Sequence, residues 1–388
     1  MSVFLANRDE PLYIQVAERI KGLIARNYQP GEVLPPYLQL TERYGVGLVT
    51  VKRAMDILAA KGIVTPIRRK GTVVNRRIRP GETRLGQVGL IVRSTINRLF
   101  EARYLGEIVG ALALRLDCLG SNLRIFSLNR RSGPITPRDV VVAGVDGAVL
   151  LGVFDRDYIA AFAREDVPLV ALDHHLDDVP LDYVVCDNAG ATRAVLEHLV
   201  GLGHRRIAYA ELFTTAPSWL GATDAEEAIR EESDRVERRE AFAAGMAELL
   251  PDAEAPRHVV VSAGPEDRAA GGERKIAELA DAVRPEKDPP TAIVAESDYT
   301  AVGLIEALGR RGVRVPEDVS VAAIAGADMT AADIPPLTYC RVDFGSMGEK
   351  GMELLELRSR SPRPSEANVV RIGFEFTPGK TTSAPPGP

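Results

Sequence analysis

Among the 388 residues no apolar run approaches the roughly 18 that a membrane span needs. The opening MSVFLANRDE carries acidic residues where a secretory leader would place a basic region and then a long apolar one. A spanning helix and a leader are therefore not expected, which points to a soluble chain that stays in the cytoplasm. Cysteine is scarce: Cys118, Cys186 and Cys340 each sit in an apolar segment and none belongs to a CxxC pair. That excludes a disulfide framework and a zinc spacing, and leaves three expected core thiols. Also missing are HExxH, GxSxG, the P-loop and GxGxxG. The adjacent His174-His175 beside Asp173 reads more readily as a polar turn after a strand than as a metal or acid/base site. No metal or cofactor is expected, and an enzyme is the reading these absences disfavour.

What is present suits two or three ordinary globular domains: 45% hydrophobic and 26% charged residues, with a mean hydropathy of -0.04. The formal net charge of -6 conceals an asymmetry. Residues 1–84 hold 15 Lys and Arg against 7 Asp and Glu, a net of +8, so the remainder carries a net of -14. A basic module joined to an acidic body suggests that the first piece meets a polyanion while the second does something else.

In the basic module, 11-PLYIQVAERIKGLIARNYQPG-31 places Ile14, Ile20, Leu23 and Ile24 at helical spacing, with Pro11 suited to a first turn and Pro30-Gly31 ending the segment. A short helix, 36-PYLQLTERYG-45, follows. In 45-GVGLVTVKRAMDILAAKG-62, Val51, Ala54, Met55 and Leu58 form a stripe that leaves Thr50, Lys52 and Arg53 off it. The stretch 62-GIVTPIRRKGTVVN-75 reads as two strands around a basic turn. Three helices and a basic hairpin describe a winged helix-turn-helix, whose third helix enters the major groove while the wing lies along phosphates or the minor groove.

Over Pro11 to Val74 the pieces PLYIQV, QPGEVLP, TERYGV, TVKRAMDILAAKG and GTVV, in order and without gaps, resemble the GntR family of bacterial transcription regulators. The resemblance implies DNA contacts through Thr50 and Lys52, with Leu48, Val49 and Arg53 on the same helix, and through Gly71 with its neighbours Arg68, Arg69 and Lys70 on the wing. Two departures stand out. Leu38 and Leu48 occupy positions where that family usually carries arginine, and Pro36 and Gly47 replace serine. Leu48 and Val49 would then meet thymine methyl groups rather than guanine edges.

Past 76-RRIRPGETRLG-86, β-branched runs alternate with helical stretches: 88-VGLIV-92, 104-YLGEIVGALALRLDCLG-120, 123-LRIFSL-128, 145-VDGAVLLG-152, 168-PLVALD-173 and, after a restart near residue 187, 206-RIAYAEL-212 and 291-TAIVAESDYTAVGLIEALGRRGVRVPEDVSVAAIAG-326. Strict alternation implies α/β units with parallel sheets and crossover helices, which bind ligands at the carboxyl ends of their strands. With VGLIV, PLVALD, EHLVGLGHRRIAY, ESDYTAVGLIEAL, RRGVRVPEDVSV and PPLTYCRVDFGSMGEKGMELL in order, residues 86–375 resemble the effector-binding domain of the LacI/GalR repressors, itself similar to periplasmic sugar-binding proteins. A GntR-type module on such a body is the arabinose-repressor type of architecture. The expected domains are a winged module over 1–76, a linker over 77–85, and an effector domain over 86–375. The last divides into lobe one (about 86–186 and 344–371) and lobe two (about 187–341), and 376–388 is expected to be a flexible tail.

The same resemblance places Arg238, Arg93, Asp173, Phe154 and Ser297 in an effector cleft between the lobes. Arg238 stands for a bidentate grip on hydroxyls or carboxylates, and Ser297 replaces the usual asparagine. The family's sugar-binding aspartate falls on Ala325, and its loss tilts the expected effector from a neutral sugar toward a sugar acid or phosphate. Each residue keeps a plainer alternative: Arg238 paired with a surface carboxylate, Asp173 capping a turn, Phe154 in the core, Asp298 at a helix start. The segment 213–237, with Trp219, reads as an acidic insertion that is solvated or beside the cleft. The implied whole is a ligand-responsive DNA-binding regulator, a repressor acting as a homodimer on double-stranded operator DNA with a small carbohydrate-like effector. The competing reading is a small-molecule binding protein that has lost DNA binding.

Overall fold

The computed structural model describes residues 11–78, 85–93, 103–128, 135–165, 167–214, 233–252, 257–263, 273–284, 288–327, 334–361 and 364–387. Most of the expected linker, and Trp219, lie outside the described residues. The chain forms two compact units, one of residues 1–99, 108–184 and 345–370, the other of residues 100–107, 185–344 and 371–388.

The winged module belongs to the first unit. Its helices are α1 (Leu12–Asn27), α2 (Tyr37–Tyr44) and α3 (Leu48–Ala60), followed by a hairpin of β1 (Val64–Ile67) and β2 (Gly71–Val74). Val16, Ala17, Ile20, Leu23 and Ile24 of α1 pack with Val51, Ala54, Met55 and Leu58 of α3 in one core. Gly45 ends α2 at φ +63°, a left-handed cap natural to glycine. Pro11 caps α1 from an extended conformation rather than lying in its first turn.

The rest of the first unit is a six-stranded sheet in the order β13-β7-β6-β5-β3-β4. Its elements are β3 (Gln87–Val92), α4 (Arg103–Cys118), β4 (Asn122–Ser127), α5 (Pro137–Val142), β5 (Gly147–Leu151), α6 (Arg156–Arg164), β6 (Leu169–Leu172) and β7 (Asp182–Cys186), with α11 (Phe344–Arg358) and β13 (Asn368–Ile372) returning from the chain's end. The strands β3 to β7 pair in parallel. Every residue of β5 and β6 is buried, as continuous apolar runs require in sheets covered on both faces.

The second unit holds α7 (Asn188–Gly201), β8 (Ile207–Thr214), α8 (Ser233–Leu249), β9 (Arg257–Ala263), α9 (Glu273–Val283), β10 (Ala292–Ala295), α10 (Asp298–Gly309), β11 (Ser320–Gly326), β12 (Thr338–Val342) and β14 (Phe374–Thr377). Its sheet runs β14-β12-β11-β10-β8-β9, parallel except for antiparallel β14. Mixed α/β with parallel sheets behind a winged helix-turn-helix is the expected fold class.

Three expectations need correction. Cys118, in the last turn of α4, is exposed, whereas Cys186 and Cys340 are buried. Residues 233–237, read as part of the insertion, are the first residues of α8. The segment 376–388 is not a free tail over its described length: Thr381 is fully buried and joins two neighbouring strands, its Oγ1 donating to the Val321 carbonyl (2.7 Å) and accepting from the Thr338 N–H (3.0 Å). Buried His204 ties Thr291 (2.9 Å) to the Ser383 carbonyl (2.9 Å). A threonine-rich tail has no apolar period, but its hydroxyls satisfy backbone groups that β11 and β12 leave open. Thr381→Val keeps the shape and strands both backbone partners, so a loss of about 1–3 kcal/mol in urea unfolding is expected.

Candidate DNA-reading surface and effector clusters

Burial of the α3 stripe decides what the helix offers outward. Lys52 and Arg53 are exposed, Thr50 is half-buried, and Arg53 lies 5.8 Å from the Tyr13 ring centre, so part of its charge is held over the module's own surface. At the leading turn Leu48 is 49% and Val49 69% exposed, and Leu38 on α2 is 66% exposed. Leu48 and Val49, adjacent in the leading turn of α3, present apolar side chains beside the exposed Lys52 and Arg53. The wing tip is Arg68-Arg69-Lys70, all exposed, with Arg69 at φ +64° and Gly71 at φ +100°. A left-handed arginine at a turn tip stores modest strain and projects three consecutive cations beyond the hairpin.

The residues expected at an effector site fall into two groups, one in each unit. In the first unit, Arg93 after β3, Phe154 after β5 and Asp173 after β6 stand at the carboxyl ends of adjacent strands. The Arg93 guanidinium lies 4.2 Å from the Phe154 ring centre, and Phe154 meets the ring of buried His174 edge-on at 6.1 Å. Asp173 has φ +67°, a left-handed conformation that aspartate adopts more readily than most non-glycine residues, and it stands where α/β sheets bind ligands. His174 thus belongs to this cluster and not to a polar turn.

In the second unit Arg238 is 8% exposed and largely engaged within the protein. Its Nε donates to Asn188 Oδ1 (2.8 Å), its Nη1 to the Glu296 carbonyl (3.0 Å), and Nη2 faces Asp234 at 3.6 Å. Ser297 caps α10 by accepting from the Thr300 N–H (3.3 Å). Asp298 opens the same helix and accepts from the Ala327 N–H (2.8 Å). Ala325, onto which the family's aspartate falls, is the next-to-last residue of β11, at its carboxyl-terminal end.

Sequence reasoning missed two carboxylates beside Arg238. Glu211 in β8 is buried and bound by Arg235 (2.8 Å) and Arg239 (3.3 Å), with His258 at 3.8 Å. Burial pushes its pKa up, but His258 and the two guanidinium groups outweigh that and hold it at about 2. Glu296 follows β10 and is 4% exposed; its Oε1 accepts from Thr300 Oγ1 (2.7 Å) and its Oε2 has no hydrogen-bond partner. Burial, reinforced by the Glu211 charge and opposed chiefly by Arg235, raises this carboxyl to about 7. The signal was present: a lone Glu inside AYAELF and IVAESD is out of place in buried strand ends and calls for the cations that RVERRE supplies.

Among the described residues no group of three His, Cys, Asp or Glu could hold a metal ion, and no helix is long and apolar enough to cross a membrane.

Comparison with known proteins matches residues 12–74 to the bacterial regulatory proteins of the gntR family and residues 196–382 to the periplasmic binding protein-like domain. The lactose operon repressor of Escherichia coli K12 is 26% identical over 285 residues, covering 72% of this chain and 71% of its own. The transcriptional regulator MalR of Streptomyces coelicolor is 25% identical over 356 residues, covering 89% and 92%. Among solved structures, a LacI family regulator from Bifidobacterium animalis subsp. lactis superposes with a TM-score of 0.59 at 20% identity, covering 79% of this chain and all of that one. A complex of the transcriptional regulator CelR with cellobiose gives 0.58 at 21%, covering 90% and 100%. With a winged helix-turn-helix ahead of a periplasmic-binding-protein-like body, the chain is a ligand-responsive DNA-binding transcription regulator and not an enzyme. Its architecture is the GntR/LacI type, with a GntR-family DNA-binding domain and a body related to the LacI/GalR regulators.

Two outcomes are expected. Lys52→Ala and, separately, Arg69→Gly, which removes a charge while easing the backbone, should weaken binding to all DNA sequences alike and flatten the log–log salt slope by about 1 each. Gel shifts at graded salt on fragments selected from genomic DNA measure this, and an unchanged slope for Arg69→Gly removes the wing from the interface. Glu296 gives a pH effect of definite sign. Because its folded pKa is raised, its contribution is full below the unfolded value and is lost as pH rises toward 7. Relative to Glu296→Gln the native chain should therefore lose on the order of 1 kcal/mol per pH unit between about 4.5 and 7 and level off above. Urea unfolding across that range is the measurement.

Proposed function

We propose that this regulator is a repressor whose effector is a small neutral carbohydrate, contacted by the strand-end residues Arg93, Phe154 and Asp173 of the first unit. The observation that carries the reading is the Arg93, Phe154, His174 and Asp173 cluster at three adjacent strand ends. Arg93 and Asp173 supply charged groups that suit sugar hydroxyls, while Phe154, only 7% exposed, packs beneath the Arg93 guanidinium and holds it in place. The relatives point the same way: one is the lactose operon repressor, one structure holds cellobiose, and another, a regulator from Weissella paramesenteroides, holds glucose.

Neutral sugar is favoured over sugar acid because Arg238 already serves Asn188, the Glu296 carbonyl and Asp234 and is not an open grip for an anion, and because related regulator structures hold cellobiose and glucose. Anionic sugar derivatives remain the second arm of the test.

Effector binding then biases the regulator between states of differing operator affinity, and DNA must alter effector affinity by the same factor. We read the working form as a cytoplasmic homodimer on a two-fold operator, since one winged module makes few base contacts and a symmetric pair matches a palindrome.

A panel of neutral mono- and disaccharides paired with their acids, each at equal concentration, should raise the melting temperature with neutral members; at 100 times the dissociation constant the gain is about 2.7 kcal/mol. Shifts produced by the acids alone would sink the neutral-sugar reading.

A further inference from the structure

In the first unit, α1 of the winged module rests on the amino-terminal edge of the α/β sheet. Arg19 Nε donates to Asp146 Oδ1 at 3.2 Å, with only 9% and 20% of the two side chains exposed. The other oxygen of Asp146 accepts from the Gln87 N–H at 2.9 Å. Gly144 lies against the same arginine; a Cβ there would stand 2.6 Å from Arg19 Nη2, and its φ of +97° is a conformation other residues rarely adopt. A second strut joins the bodies where Arg138 of α5 donates to the Glu42 carbonyl of α2 at 2.9 Å and lies 3.5 Å from Glu165. Between the struts is a cavity of about 350 Å³, lined by Gly22, Arg26 and Tyr44 of the module and Val141, Val145 and Arg164 of the sheet body.

The placement matters because of what lies at the other ends of the same strands. Gln87 begins β3, which ends beside Arg93; Asp146 precedes β5, which ends before Phe154. The strands are five and six residues of fully paired backbone, stiff rods of roughly 17–20 Å. On its opposite face α1 packs against α3.

We propose that the Arg19–Asp146 contact is a latch that makes the winged module and the first α/β body move as one piece, so that displacement of the Arg93 and Phe154 strand ends is passed through β3, β5 and α1 to the DNA-reading helix. The proposal rests on the effector reading only for the source of that displacement; the latch itself is tested without an effector. Burial works against the ionised Asp146 and raises its pKa, opposed first by Arg19 and then by the Gln87 N–H. Arg19 is therefore the main group that offsets the burial of this carboxyl, which still stays above its ordinary value.

The test is hydrogen exchange by mass spectrometry on the full chain and on Arg19→Met and Asp146→Asn. Each single change should speed exchange about tenfold in both partner segments, 15–26 and 137–147, because losing either group opens the same interface. Segments 51–58 and 292–295 should keep native rates, which shows that the fold persists. The double variant should do no more than either single one. Adding a short random-sequence duplex at low salt should slow exchange in segment 137–147 of the native chain and leave that segment of Arg19→Met unaffected. Acceleration confined to the mutated segment, additive effects in the double variant, or an equal DNA effect in both chains would each overturn the latch.

Discussion

Helix α1 is buried on two sides, and the rest of the regulator depends on that. One side, Val16, Ala17, Ile20, Leu23 and Ile24, forms the core with α3; the other carries Arg19, Gly22 and Arg26 to the α/β body. A helix held by a single apolar stripe can pivot about it, but one clamped on two faces has a fixed rotation. That rotation determines which residues of α3 remain outward, and so which chemistry DNA meets.

The two units solve the same electrostatic problem differently. Charges at the ends of buried parallel strands lose hydration, and each is compensated by what the neighbouring helix can deliver. In the first unit the compensation is soft: Arg93 spreads over the Phe154 ring. In the second it is a salt-bridge network, with three arginines of α8 reaching Glu211 and the Glu296 backbone while burial raises the Glu296 carboxyl to about 7. On the proposed reading, a ligand entering the first cluster would displace a polarisable contact.

What was legible in the sequence follows from how local each determinant is. The strands β3, β5, β6 and β10 are unbroken apolar runs and could be read directly, as could the α3 stripe. Arg93, Phe154 and Asp173 were found through family resemblance, and their being together depends on strand order, which no local pattern encodes. Glu211 and Glu296 were visible as anomalies but look like strand-end polarity until the arginines of α8 are brought to them. Arg19 and Asp146 lie 127 residues apart and neither departs from its local pattern, so the latch was invisible. The final segment, rich in threonine and proline, has the composition of a loose end; its order comes from hydroxyls meeting particular backbone groups, a correspondence composition does not record.

Contacts made by lysine and arginine with phosphates release counterions and fade as salt rises, whereas contacts of leucine and valine with thymine methyl groups release none. Were Leu48 and Val49 to face bases and the Arg68-Arg69-Lys70 wing to face phosphates, as the GntR resemblance implies, the two contributions would come apart: salt would govern how much DNA is held, while the ratio between a cognate site and a mismatched one would be insulated from it.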